Sequence, residues 1–310
     1  MITTITLNPS VDRRYQLPDL VKGTVARSTF DSWTPGGKGL NVSRVAHQLG
    51  EEVNATGFLG GFTGDAIKEK ILKLGIHNFF IDIDGETRTC LALLTEDGIQ
   101  TEILPTGPQI TPENWKCFLD HLPYLIQSSQ VLTASGSLPP GLPHGAYGEI
   151  AKLATTYHIP FILDTSGDAL KSALPFKPFA IKPNQEELTN LLELPQQSDE
   201  SYQKGLSSLW KNYKIPLILL TLGGDGALIS WQGELYRGIL PKGLAIKNPI
   251  GSGDSTVAGI ATGLARKMPI QDILKLGLAC GTANALEDMT GSINPEIVTQ
   301  LRNQIQIIKL

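Results

Sequence analysis

The sequence predicts an α/β protein built on a mostly parallel sheet, with a small second sheet set apart from it, and three observations carry the prediction. Short apolar runs rich in Val, Ile, Leu and Phe recur at residues 2–7, 53–59, 131–134, 161–163, 179–181 and 217–222, the pattern of strands buried on both faces. Segments of helical spacing fall between several of them, such as Val42, Val45, Ala46 and Leu49, or Val257, Ile260, Ala261, Leu264 and Ala265. Each of these is an apolar stripe for one face of a helix, and strand alternating with helix means a parallel sheet. The rhythm breaks once: residues 88–95 and 98–104 are two strand-like runs joined by Glu96-Asp97-Gly98, a hairpin signal.

Taken in order, the run at residues 2–7 opens the main sheet, and extended pieces at 12–17 and 27–33 follow without a crossover helix. A helix opening at about Leu40 leads to the strand at 53–59. The hairpin at 88–104 joins the two early extended pieces in a small sheet over the carboxyl ends of the main strands, where open α/β folds bind ligands. The remaining strands at 131–134, 161–163, 179–181 and 217–222 continue the main sheet. No repeat, low-complexity tract or long charge run divides the chain, and residues 196–201 read only as a polar loop entering a helix. The expectation is one domain over residues 1–310, its lid formed by about 12–34 and 86–106.

Composition excludes whole classes of function. With 310 residues, 41% of them hydrophobic and 18% charged, the chain can bury a large core. Its 26 basic and 30 acidic residues leave a net charge of -4, so no bulk positive field holds a nucleic-acid backbone or an anionic membrane. Any anion site is therefore local. Cys90, Cys117 and Cys280 are widely spaced and odd in number, which fits neither a disulfide framework nor a zinc pattern and points to a reducing, cytoplasmic compartment. Residues 1–10 lack a basic and apolar leader, and the most apolar stretch, 215–222, is far short of the about 20 residues a membrane span needs. The sequence thus reads as neither exported nor embedded.

Four local patterns carry chemistry. Pro35-Gly36-Gly37-Lys38-Gly39-Leu40-Asn41 precedes a helix, where glycines let main-chain amides approach a ligand and a lysine adds full charge to the positive helix end. In isolation it is also a plain glycine-rich turn. Lys182-Pro183-Asn184-Gln185-Glu186-Glu187 follows a strand; Asn184 and Glu187 share one side of a helix start, either approaching a hydrated Mg²⁺ or closing a capping box. Thr221-Leu222-Gly223-Gly224-Asp225-Gly226 is a tight hairpin or a nucleotide loop. The last is Gly251-Ser252-Gly253-Asp254 before the helical stripe from Val257. Asp254 is either an N-cap or a general base, beside amides of Gly251, Ser252 and Gly253 that face an oxyanion. No P-loop, complete dinucleotide fingerprint or Gly-x-Ser-x-Gly elbow occurs, and the five histidines form no metal-spaced pair, so hydride, hydrolase and zinc chemistry drop out.

These four patterns in this order resemble the ribokinase-like sugar kinases, the PfkB family, over nearly the whole chain. Thr6-Leu7-Asn8-Pro9-Ser10-Val11-Asp12 at the front and Ser135-Gly136-Ser137-Leu138-Pro139-Pro140-Gly141 in the middle strengthen the likeness. The resemblance implies a three-layer fold with a mostly parallel central sheet and a small β-sheet lid, and ATP-dependent phosphorylation with Mg²⁺. Within the family the chain is similar to the branch that turns a ketohexose phosphate into a bisphosphate. Gly85-Glu86-Thr87-Arg88-Thr89-Cys90, Thr101-Glu102-Ile103-Leu104 and Met289-Thr290-Gly291 lean to tagatose 6-phosphate as acceptor; Gly61-Phe62-Thr63-Gly64 leans to fructose 1-phosphate. The resemblance makes Asp254 the base and Gly251, Ser252 and Gly253 the anion hole. It gives Asp12, Gly37 and Asn41 to sugar hydroxyls, and the substrate's own phosphate to Lys38 and Arg88. Lys182, Asn184 and Glu187 then serve the ATP phosphates and Mg²⁺, while Thr221, Gly223, Gly226 and Asn284 line the nucleotide pocket. It also implies a homodimer paired through the lid. The competing class is a catalytically silent sugar-phosphate sensor, against which the intact Asp254, Asn184 and Glu187 stand.

Overall fold

The computed structural model describes residues 1–194 and 197–310. Among them an eleven-stranded sheet forms the centre, ordered Gln306–Lys309, Glu234–Ile239, Ala227–Trp231, Leu217–Thr221, Ala180–Ile181, Phe161–Asp164, Val131–Ser135, Ile2–Thr6, Val53–Leu59 and His77–Asn78, with Ile81–Asp82 also pairing Val53–Leu59. Pairing is parallel from Leu217–Thr221 to His77–Asn78, and the last three strands join antiparallel at one edge. The antiparallel edge starts with the hairpin at Thr221–Ala227.

Strand residues alternate between two cores because successive side chains point to opposite faces. Leu217 and Leu219 pack with Val257, Ile260 and Ala279 on one face; Ile218 and Leu220 pack with Leu188, Leu206 and Leu209 on the other. Helices therefore cover both faces. Among them are Lys38–Gln48, Ser252–Ala265, Ile270–Ala285 and Pro295–Gln304 on the first, and Pro112–Gln127, Ala146–Thr156, Gln185–Leu192 and Asp199–Tyr213 on the second. Gln196, at the head of the expected polar loop, lies outside the described residues; Ser198 caps the helix after it, accepting from the Ser201 amide at 3.3 Å.

A separate four-stranded sheet contains Phe30–Gly36, Ser10–Leu17, Arg88–Thr95 and Gln100–Ile103 in that spatial order. Ser10–Leu17 runs parallel to Arg88–Thr95 with Ser10 opposite Arg88 and Asp12 opposite Cys90, so residues far apart in sequence meet at its inner end. Several boundaries differ from the sequence expectation. The second strand starts at Phe30 and continues through Pro35 and Gly36, and the helix behind it opens at Lys38. Pairing with Ser10–Leu17 extends the strand into what composition alone marks as a turn.

Candidate active site

The carboxyl ends of five neighbouring parallel strands, Ile2–Thr6, Val131–Ser135, Phe161–Asp164, Ala180–Ile181 and Leu217–Thr221, open toward the small sheet and enclose a cavity of about 580 Å³. That volume suits a small ligand pair, at the place where open α/β sheets bind them. The cavity wall brings together Asp12, Gly37, Lys38, Asn41, Arg88, Lys182, Asn184, Glu187, Thr221, Gly251, Gly253 and Asp254.

Asp254 sits in the first turn of Ser252–Ala265, but it does not cap it. The N-cap is Gly251, whose φ of 82° requires a residue without a Cβ, and no side chain caps this helix. The Asp254 carboxylate, 5% exposed, instead accepts a hydrogen bond at Oδ2 from Asn41 Nδ2 at 2.8 Å. Burial, and then the negative charge of Asp164, push its pKa up to about 6 from the ordinary 3.8, while Lys38, the Asn41 hydrogen bond and Lys182 pull the other way. A carboxylate titrating near neutrality in a cavity can accept a proton from an alcohol. Of the three amides expected beside it, that of Ser252 is engaged with Pro249 O at 3.2 Å. Those of Gly251, Gly253 and Asp254 have no acceptor among the described residues, so the donor set shifts by one residue toward the helix.

A cluster of alternating charge lies beside it. Asp164, at the end of Phe161–Asp164, has no exposure and places Oδ1 3.3 Å from Lys182 Nζ and 3.7 Å from Lys38 Nζ. Lys38 Nζ is also 3.9 Å from Glu187 Oε1. Burial alone would raise the Asp164 carboxyl, but the two ammonium groups outweigh it and hold the pKa below its ordinary value. Asp164 in turn raises that of Lys38, against burial and helped by Asp254 and Glu187. A Cβ on Gly253 would meet Lys182 Nζ at 3.0 Å, which places that ammonium against the free amides. Asn184 and Glu187 form a reciprocal capping box, Glu187 N donating to Asn184 Oδ1 at 2.8 Å and Asn184 N to Glu187 Oε2 at 2.9 Å. The box leaves Glu187 Oε1 facing Lys38.

At the inner end of the small sheet Asp12 accepts from Ser10 Oγ at 2.6 Å, and burial raises its carboxyl despite that bond and the positive charges of Arg44 and Arg88. Arg88 donates to Pro105 O at 2.8 Å and Asn8 O at 2.9 Å, which fixes its guanidinium at the cavity edge.

Four expected positions fall outside the cavity wall. Gly223 and Gly226 lie in the turn beyond Thr221, and Ser252 stands behind Gly251 and Gly253. Asn284 is fully buried and is not part of the cavity wall. Its Oδ1 accepts from Gly291 N at 2.8 Å and Ser255 Oγ at 3.2 Å, and its Nδ2 donates to Ile250 O at 2.8 Å, so it braces the Gly251 loop from behind. Two residues escaped the sequence reading, Asp164 and Arg44. Each had a signal: a carboxylate that ends a wholly apolar strand, and an arginine inside the apolar stripe of Lys38–Gln48.

Residues 3–297 match the pfkB family carbohydrate kinase. A tagatose-6-phosphate kinase of Staphylococcus epidermidis is 43% identical over 312 residues, covering all of both chains. The structure of phosphofructokinase-2 from Escherichia coli in complex with fructose-6-phosphate superposes with a TM-score of 0.87 at 25% identity, covering 98% of each chain. An Arabidopsis thaliana ribokinase complexed with ribose and ATP shares the fold, with a TM-score of 0.81 at 18% identity over 97% of this chain and 98% of its own. The likeness runs from one end of the chain to the other and includes the strand ends that build the cavity, so this chain belongs to the pfkB family of carbohydrate kinases.

Proposed function

We propose that this chain transfers the γ-phosphoryl group of ATP to the O1 hydroxyl of tagatose 6-phosphate, giving the 1,6-bisphosphate. The observation that carries the reading is Asp254: a buried carboxylate beside unoccupied amides at a helix N-terminus, its pKa lifted to about 6. The full-length likeness to a tagatose-6-phosphate kinase supports the acceptor. In the transfer, the sugar oxygen forms a bond to the γ-phosphorus as the bond to the β,γ-bridging oxygen breaks, and the hydroxyl proton passes to Asp254. The amides of Gly251, Gly253 and Asp254, with Lys182 beside them, face the charge spread over the moving group, which is where phosphoryl transfer gains most of its acceleration. Asp12, Gly37 and Asn41 hold sugar hydroxyls. Arg88 and Lys38 take the phosphate already present, Arg88 as a fork and Lys38 as a point charge.

Asp164, Asn184 and Glu187 fit a hydrated Mg²⁺ bound jointly with nucleotide phosphates: both Asp164 oxygens are buried without a hydrogen bond, and all the donors are hard oxygens. Such an ion supplies positive charge for the phosphate oxygens. Thr221, Gly223 and Gly226 then flank the nucleotide, and the four-stranded sheet covers the cavity as a lid that excludes water. Exposed apolar residues on and beside that sheet, Phe30, Ile99, Ile103 and Leu104, support its pairing with a second copy in a homodimer. Among the described residues no helix is long and apolar enough to cross a membrane.

ADP release measured with tagatose 6-phosphate, fructose 1-phosphate, fructose 6-phosphate and ribose tests the reading. The highest kcat/KM is expected with tagatose 6-phosphate and none with ribose. A higher value with fructose 1-phosphate reassigns the acceptor, and silence on all four leaves a non-catalytic sensor.

A further inference from the structure

Close to the base lies a buried arginine to which the proposed transfer gives no role. Arg44, 7% exposed, donates through Nη2 to Asn41 Oδ1 at 2.5 Å and to Thr290 O at 2.9 Å. Asn41 passes the contact on, its Nδ2 reaching Asp254 Oδ2 at 2.8 Å. No hydrogen bond reaches Asp254 Oδ1 among the described residues.

We propose that Arg44 is a positioning residue which, through the Asn41 amide, decides which oxygen of Asp254 takes the sugar proton. The proposal rests on the kinase reading above. A guanidinium only donates, so the end of Asn41 that faces Arg44 must be its oxygen, and the NH₂ end must then face the carboxylate. Turning the amide over would set oxygen against carboxylate oxygen and NH₂ against guanidinium, two repulsions among side chains that are all more than nine-tenths buried. Oδ2 is therefore committed to Asn41, and Oδ1 is the atom left for the hydroxyl. The space for this pair is built in: a Cβ on Gly291, where φ is 64°, would meet Arg44 Nη2 at 2.7 Å and Asn41 Oδ1 at 3.0 Å. Gly291 N also holds Asn284 Oδ1 at 2.8 Å, and Asn284 braces Ile250, so one chain of contacts aligns the base and the loop that carries the free amides.

A double-mutant cycle on the full chain tests it, with turnover on tagatose 6-phosphate and melting temperature read for every variant. Arg44→Met is expected to lower kcat by roughly tenfold to a hundredfold, the usual effect of a misplaced reacting group. In an Asn41→Ala background the same change is expected to add no more than about twofold, because the two side chains act in series. Gln48→Met is the control. It loosens the same helix from the same loop, where Gln48 Nε2 meets Gly291 O at 3.2 Å and Oε1 accepts from Ile293 N at 2.8 Å, without touching Asn41. It should lower the melting temperature and leave kcat unchanged. If Arg44→Met does not fold, the cycle is run with Arg44→Lys, whose side chain ends one bond short of the Nη2 position that makes both contacts and is expected to show the same coupling. Losses that multiply across the cycle, or a Gln48→Met enzyme as slow as Arg44→Met, overturn the proposal. A wild-type enzyme silent on all four acceptors overturns the kinase reading instead, so the two failures are separable.

Discussion

Replacing Asp254 with asparagine separates the catalytic from the structural account of this residue, because the two predict changes of opposite sign. The carboxylate is 5% exposed, and burial is the leading cause of its rise from 3.8 to about 6. At neutral pH the folded chain therefore holds an ionised group that would rather be neutral, at a cost of about 3 kcal/mol. Asparagine has nearly the same shape, carries no charge and still accepts from Asn41 Nδ2, so Asp254→Asn is expected to be more stable than wild type by up to about 3 kcal/mol. The gain has a pH signature. It is complete above the folded pKa near 6, shrinks as the pH falls from there toward 3.8, and is gone below 3.8, where wild-type Asp254 is protonated in both folded and unfolded states. Turnover moves the other way, falling roughly 10² to 10⁴-fold with the loss of a general base, or about 3 to 5 kcal/mol of barrier. Denaturant melts at pH 7 and pH 4, ATP binding by calorimetry and ADP release give the three readouts. A capping aspartate would instead cost about 1 kcal/mol on replacement. A variant that melts lower than wild type, with turnover lost only in proportion to unfolded protein, refutes the argument.

Two further outcomes follow from the same geometry. Since Asp254 must be ionised to act, kcat/KM is expected to fall on the acid side with a midpoint near 6, and Lys38→Met should move that midpoint upward because the Lys38 ammonium favours the charged carboxylate; a pH–rate profile with an unmoved or lowered midpoint contradicts this. Asn284→Ala is expected to lower kcat roughly tenfold by slackening the Gly251 loop, with the KM for ATP unchanged; a raised KM for ATP at normal kcat would return Asn284 to the nucleotide pocket.

Much of the fold was legible because buried parallel strands leave a signature that does not depend on their neighbours. The run at residues 217–222 is apolar on both faces because both faces are covered, and Leu217 and Ile218 do pack into different cores. Local chemistry was legible for the same reason. Asn184 with Glu187 three residues later closes a capping box within one helical turn. The Gly251 to Asp254 string sets a left-handed turn and a helix start from its own residues. Asn284 shows where local reading stops: a buried amide that braces a loop and an amide that touches a ligand are the same residue in a sequence.

By itself, then, the sequence determined the alternation of strands and helices, the glycine-bearing helix starts and the acidic residue at the late one, since each follows from backbone preferences and burial over a few neighbouring positions. Only the tertiary structure decided that Asn41 reaches Asp254 across 213 residues, that Asp164 stands between Lys38 and Lys182, and that the Ser252 amide is turned away from the free donors. The physical reason is that a carboxylate's pKa and a free donor's direction are set by what the fold places within a few ångströms of them. Those neighbours come from strand ends and helix starts that adjoin one another only once the parallel sheet has formed.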